Sequence, residues 1–430
     1  MKKLFEKGVL MCAMQTVQIN DSVSVKAFTD PRFKTMKISV DLLIPLTKET
    51  ASAYAVLPSL VSRASREYPD YTLLSRRLSE LYGASMSSHV SKIGSKQILS
   101  ISVEGIAGKY ALNGEDLFQE FAGLLFSVLL NPLKENDGNF PEDGFEQERR
   151  QILELLDSEF NDKIVYAHQR CEELVFEGKP AGLNRYGSRE SVQALNREEL
   201  AAAWETVLKN AKFEIFVLGN CQPDFALFER AFSGFGAPLS AVKDPLFGHE
   251  DVNRVTEEMA LSQSKLSLAF RTGAKADERL LYRLMSAVLG GTPSSKFFMN
   301  VREKMGLCYY CSSRVDTYQG VLYVESGVET ENIEKAEAEI LRQVELLQAG
   351  ELTEEELLFA KLAMCNSCRS VGDSLNAVEN WYLSQSLESA LQTPEEAVEK
   401  IMGFTAEDVI GAAKTLRLDT VYCLKGNGGN

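Results

Sequence analysis

The chain has 430 residues, 45% of them hydrophobic and 25% charged, with a formal net charge of −15. That balance belongs to a globular protein of roughly two to four domains. The acidity argues against a nucleic-acid binder, which needs a basic stripe, and would draw basic partners instead. No stretch approaches the roughly 20 apolar residues that span a bilayer.

The start of the chain, residues 1–15, opens on Lys2-Lys3 and has only a short apolar patch and no small-residue cleavage site, so no secretory leader is expected. Eight cysteines in so long a chain are too sparse for a disulfide framework and point to a reducing cytoplasm.

In chain order, residues 34–45 alternate apolar and polar as a strand does. Helices are expected over 51–66 and 73–82, with Gly83 past the last turn of the second. Strands follow at 85–90 and 97–103. A long helix over 114–130 stops before Asn131-Pro132. After a loop at 136–145 comes the helix that holds Glu148. A late strand at 213–220 closes the first half.

Residues 232–257 hold Gly234, Gly236, Pro238, Pro245 and Gly248 with no sustained period, which is a linker composition. The second half then repeats the first. A strand lies at 265–270, helices at 277–289 and 295–304, and Gly306 follows. Strands at 307–314 and 320–327, a long helix at 331–347 and a closing strand at 420–427 complete it. Gly83 matches Gly306, and strand 99–103 matches 322–326, at one constant offset. The organisation expected is a first domain over 15–235, a linker over 236–257 and a second domain over 258–427. Each domain is α+β, an antiparallel-rich sheet backed by helices. The 426–430 tail, rich in glycine, is expected to be disordered.

The run from Phe297 to Tyr309 contains Arg302-Glu303-Lys304-Met305-Gly306-Leu307-Cys308-Tyr309. It resembles the "REKxGLxY" signature of the pitrilysin/insulinase family of zinc peptidases, in the branch that includes mitochondrial processing peptidase. Three further segments resemble that family in order and spacing: Tyr186-Gly187-Ser188-Arg189-Glu190-Ser191-Val192, Val217-Leu218-Gly219-Asn220 and Leu352-Thr353-Glu354-Glu355-Glu356-Leu357. Thr353 and Glu356 also read as a capping box on physical grounds.

The family's chemistry requires His-x-x-Glu-His on one helix and a distant glutamate, so that two imidazoles a turn apart grip zinc beside a carboxylate. The chain has three histidines, His89, His168 and His249, and no two are within a helical turn. In the aligned segment the zinc histidines correspond to Ala55 and Ser59 and the catalytic glutamate to Pro58. Proline inside a helix costs about 3 kcal/mol, so an undistorted catalytic helix is not expected there. The third ligand aligns with Leu155, or with Glu154 after a shift of one, and Glu148 with the glutamate behind the ligands. No metal and no cofactor are therefore expected, and no catalytic residue is assigned.

The resemblance implies one surviving pair. In active relatives an arginine and a tyrosine seven residues apart orient the peptide carbonyl, and Arg302 with Tyr309 match them. A guanidinium and a phenol are both donors suited to a carbonyl or oxyanion. Against this stands a plain reading, with Arg302 a surface arginine and Tyr309 a residue of the strand core.

The resemblance thus implies a catalytically empty subunit that pairs with an active zinc-peptidase homologue, or with itself, and helps hold peptide in a shared chamber. Bacterial inactive partners of this kind, some associated with elongation-factor-P modification, are the nearest match. The alternatives are a zinc metallopeptidase with unusual ligands and a purely structural scaffold.

Two Cys-x-x-Cys pairs, Cys308/Cys311 and Cys365/Cys368, could supply four thiolates to zinc. An odd separation on a strand puts Cys308 and Cys311 on opposite faces, so buried or idle thiols are expected. His89 reads as a half-exposed strand residue, and His168 as a salt-bridge partner of Glu172 or Glu173 on its own helix.

Overall fold

The structure, a computed structural model, describes residues 14–238, 248–274, 276–387 and 391–428. Most of the leader reading, the centre of the linker at 239–247 and the tail end at 429–430 lie outside the described residues.

Six strands, β1 (Gln15–Asn20), β2 (Val23–Thr29), β3 (Thr35–Pro45), β4 (Ser85–Ile93), β5 (Lys96–Ile106) and β6 (Lys212–Gly219), form one sheet in the order β1-β2-β6-β3-β5-β4. Five more, β7 (Asn253–Met259), β8 (Ser264–Arg271), β9 (Cys308–Asp316), β10 (Val321–Val328) and β11 (Arg417–Gly426), form the second in the order β7-β11-β8-β10-β9. With β1 set aside, the two orders are the same. In each sheet one pair is parallel, β2 with β6 and β7 with β11, and the rest are antiparallel. The repeat seen in the sequence is a repeat of topology, and each unit is a mixed sheet backed by helices.

The helices are α1 (Ala51–Val61), α2 (Tyr71–Glu80), α3 (Leu117–Leu130), α4 (Glu142–Asn161), α5 (Lys163–Val175), α6 (Arg189–Gln193), α7 (Arg197–Asn210), α8 (Phe225–Phe232), α9 (Arg279–Ser286), α10 (Ile333–Gln348), α11 (Glu354–Arg369), α12 (Leu375–Leu383), α13 (Pro394–Gly403) and α14 (Ala406–Ala413). Ala287–Gly291 and Phe297–Lys304 are π-helical. None of the described helices is long and apolar enough to cross a membrane.

Two compact units result, and each takes a segment from the far side of the chain. The first holds β1 to β6 and also residues 372–386, which include α12. The second holds β7 to β11 and also residues 157–183, which include α5.

In the first unit, alternate residues of β3 (Ile38, Val40, Leu42) and β5 (Leu99, Ile101, Val103) meet α1, α3 and α7 through Val56, Leu60, Phe121 and Trp204. Burying each such side chain contributes roughly 1.5–3 kcal/mol. The other row of β3, Lys37, Ser39 and Asp41, is polar and buried too. α12 lies against it, where Lys37 pairs with Glu379 and donates to Asn376 Oδ1 at 2.7 Å.

In the second unit, Leu266, Leu268, Leu322 and Val324 pack against Phe297, Val301, Ile340 and Val409 on one face. On the other face, Ala167, Cys171 and Val175 of α5 pack on Tyr323, Tyr422 and Leu424.

Several expectations need correction. The end of the presumed linker is strand β7. Its inward row includes Glu257, which breaks the apolar alternation and is satisfied by Arg170 Nη2 (2.8 Å) and Tyr422 Oη (2.9 Å). The first helix stops at Val61 rather than Arg66: Ser62 N–H still donates to Pro58 O at 3.2 Å, but the next N–H, of Arg63, turns in to Leu60 O at 3.4 Å. His168 reaches across to the sheet: its Nδ1 lies 2.7 Å from Glu325 Oε1 on β10 and its Nε2 contacts Arg314, because α5 lies against the sheet face from which Glu325 projects. Gly426 is not tail but the last residue of β11, and Asn427 N–H donates to Met259 O.

Candidate functional site

In the first unit, the helix that the resemblance aligns with the zinc-bearing helix of active peptidases is α1 (Ala51–Val61). Its start is clamped by the Tyr186–Ser191 segment. Ser52 Oγ donates to Tyr186 O at 3.1 Å and lies 2.6 Å from Ser191 Oγ. Gln97 Nε2 bridges Ala51 O and Arg185 O at 3.0 and 2.6 Å. Gly187 has φ of +75°, and a Cβ there would fall 2.0 Å from Ser52 Oγ, so the glycine is what lets this segment close on the helix.

α1 then runs without a break through Pro58, contrary to the distortion expected from its sequence. Only the bond from residue 58 to Tyr54 O is forfeited, and Pro58 is itself buried in the packed face. The positions that would face a metal are filled otherwise. Ala55 is 1% exposed and belongs to the core. Ser59 Oγ lies 3.1 Å from Ser88 Oγ of β4.

On α4, Leu155 is exposed hydrocarbon, and Glu154 is exposed as well. Glu148 is buried and accepts from Arg63 Nη1 at 2.8 Å. Beside this pair is a cleft of about 270 Å³ edged by Leu60, Arg63, Tyr71, Pro141 and Gly144. Alanine, proline and leucine carry no donor atom for a cation, and one serine hydroxyl already in a hydrogen bond does not make a zinc site. These residues do not fit the metal that the family's active members hold. Among the described residues no three His, Cys, Asp or Glu side chains gather as a metal site would require.

The second unit carries the signature segment. Arg302 sits in the π-helical stretch Phe297–Lys304, a helix form found often at functional sites. The i+5 bond from Met305 N–H to Asn300 O (3.2 Å) widens the last turn, and Gly306 at φ +61° turns the chain into β9. The Arg302 side chain is 39% exposed, stacks 4.6 Å from the Phe298 ring and lies 3.4 Å from Glu303 Oε1. Tyr309 is 76% exposed, so it is no core residue of the strand.

The cause is a bulge. Ser326, Gly327 and Val328 of β10 pair with Cys311, Tyr310 and Cys308, leaving Tyr309 as the extra residue. The bulge also corrects the expectation for the cysteines. Cys308 and Cys311 come to one side, both against the core of the second unit. The neighbouring Cys311 thiol holds the Cys308 thiol down at about 7 against its burial, aided by Ser326 and the Arg302 charge. Cys365 and Cys368, on one face of α11, are both buried and their thiols are pushed up by burial. Spacing alone could not show the bulge.

The fold is that of a two-unit peptidase-type chain, with non-ligand residues at the positions aligned with zinc ligands. The model of the peptidase M16 inactive domain matches residues 194–364. A probable inactive metalloprotease, YmfF of Bacillus subtilis strain 168, is 26% identical over 407 residues, covering 93% of this chain and 94% of the relative. A conserved protein of Enterococcus faecalis V583 superposes with a TM-score of 0.88 at 28% identity, covering 97% of this chain and 99% of that one. A peptidase M16 inactive domain from Pseudomonas fluorescens shares the fold, with a TM-score of 0.76 at 16% identity over 96% of this chain and 98% of that one. The chain is thus a homologue of inactive M16 peptidases, with the inactive-domain match confined to residues 194–364.

Proposed function

We propose that this chain is a non-catalytic subunit of the cytoplasm that pairs with an active, zinc-bearing homologue, or with a second copy of itself, and helps hold a peptide through Arg302 and Tyr309. The observation that carries the reading is a contrast within one chain. At the positions that the resemblance aligns with zinc ligands this protein has a packed alanine, a serine and a leucine, and at the aligned catalytic glutamate a proline. At the positions aligned with the peptide-holding pair, the arginine and the tyrosine are kept, and Tyr309 is turned out to solvent by its bulge.

Arg302 would donate to a peptide carbonyl or carboxylate, and the Tyr309 phenol would add a second donor a short turn away. Neither group can activate water. Both can position a chain for a partner that does, and orientation alone is worth several kcal/mol of a barrier.

The test is reconstitution. The purified chain is mixed with an active M16 homologue from the same cell, and cleavage of a peptide substrate is followed. The chain alone should cleave nothing, the pair should cleave faster than the active subunit alone, and Arg302→Ala with Tyr309→Phe should raise KM about tenfold or more without unfolding the chain. Stoichiometric zinc and chelator-sensitive cleavage by the chain alone would establish a metallopeptidase with unusual ligands instead. A partner rate indifferent to both substitutions would leave a scaffold.

A further inference from the structure

We propose that Cys308 and Cys311 form an oxidisable dithiol which a peroxide closes into a disulfide, and that this closure reshapes the bulge that presents Tyr309. The inference stands whether or not Tyr309 touches peptide.

The ladder sets the geometry. Because Tyr309 is skipped in the pairing, Cys308 and Cys311 stand opposite Val328 and Ser326, residues only two positions apart on β10. Two positions on a strand span roughly 6.5–7 Å. A disulfide bridges Cα atoms roughly 4.4–6.8 Å apart. Both side chains pack against the same core, so they stand on one face of the sheet. Closure therefore asks for a small contraction, and the unpaired residue between the cysteines is where the backbone can yield.

The pair is also asymmetric in the way a reactive dithiol needs. Cys308 is half-buried and its thiol is depressed, with Arg302 nearby, whereas Cys311 is buried and its thiol is pushed up. The Cys308 thiolate attacks hydrogen peroxide; an S–O bond forms, the O–O bond breaks and the departing hydroxide takes a proton to leave as water. Cys311 sulfur then displaces hydroxide from the Cys308 sulfenic acid. The S–S bond forms, and the Cys311 proton leaves with the hydroxide as a second water. Two thiols have lost two electrons to one peroxide. The other cysteines among the described residues differ: Cys171, Cys365, Cys368 and Cys423 are buried and Cys221 is half-buried, and burial raises the thiols of all five.

The experiment treats the full chain with equimolar hydrogen peroxide and maps its peptides without reduction. A Cys308–Cys311 disulfide should form before any other cysteine reacts, and dithiothreitol should reverse it. Cys311→Ser should leave a Cys308 sulfenic acid that dimedone traps, and Cys308→Ser should abolish the fast reaction. In a Tyr309→Trp variant, emission should shift on oxidation and return on reduction. Cys308 passing to sulfinic acid with Cys311 still free, or oxidation spread evenly over the cysteines, would overturn the dithiol. A disulfide that forms with unchanged emission would overturn its coupling to residue 309.

Discussion

The hydroxyls of Ser59 and Ser88 lie 3.1 Å apart, tying α1 to β4 at the helix position that aligns with a zinc histidine. One turn earlier, Ala55 is closed into the core. The site has therefore been repacked as well as emptied. Putting ligands back by Ala55→His with Ser59→His should not recover metal binding. It should destabilise the first unit by roughly 1–3 kcal/mol, the usual cost of overpacking a filled core. Urea unfolding with and without added zinc reads both effects, and a midpoint that rises with zinc would refute the repacking argument.

Pro58 gives a second test on the same helix. Its missing N–H leaves Tyr54 O without the intrahelical donor, yet its ring fills buried space. A proline inside a helix costs about 3 kcal/mol, whereas trimming a buried side chain and loosening the unfolded chain together take back roughly 2 kcal/mol. Pro58→Ala is expected to stabilise the protein by about 1 kcal/mol, visible as a raised urea midpoint at unchanged slope. A lowered midpoint would mean that the surrounding packing depends on the ring.

Arg63 and Glu148 form the third. Glu148 aligns with the glutamate that stands behind the metal ligands in active relatives, and here it pairs with Arg63 at 2.8 Å, with side chains 7% and 21% exposed. Removing the arginine strands a buried carboxylate, so Arg63→Ala should cost about 2–3 kcal/mol, less than a fully buried pair because Arg63 is partly solvated. Arg63→Met with Glu148→Gln should recover much of that loss. If the double variant is no more stable than the single one, the pair is not what holds this corner.

How far the sequence could be read depended on whether the deciding neighbour was local. β3 and β5 announce themselves through alternation, and Gly83 and Gly306 through turns that need positive φ. Thr353 and Glu356 form the capping box their spacing implies. β7 was hidden by Glu257, whose partners Arg170 and Tyr422 lie far off in the chain. The facing of Cys308 and Cys311 depended on a bulge, which no spacing rule reports. His168 was assigned to neighbours on its own turn although its partner, Glu325, comes from β10. That the sequence lacks His-x-x-Glu-His, by contrast, needed only the positions of three histidines.

Asp41 lies on the buried polar row of β3. One carboxyl oxygen accepts from Ser100 Oγ and the other has no hydrogen-bond partner. Burial, reinforced by the nearby Glu379 and Glu214 charges, holds its carboxyl well above the usual range, and Ser100 and Lys37 offset this only in part. The folded protein thus keeps a proton that the unfolded chain releases near its ordinary value of about 3.9. Folding then takes up a proton, so this contribution to stability is complete below that pH and is lost as pH rises toward the raised value, at no more than about 1.4 kcal/mol per pH unit. Asp41→Asn cannot ionise and should remove that part of the slope. The variant is expected to gain on the parent steadily as urea unfolding is repeated from acid to neutral pH. A difference between the two proteins that stays constant across that range would show Asp41 to be ionised in the folded state.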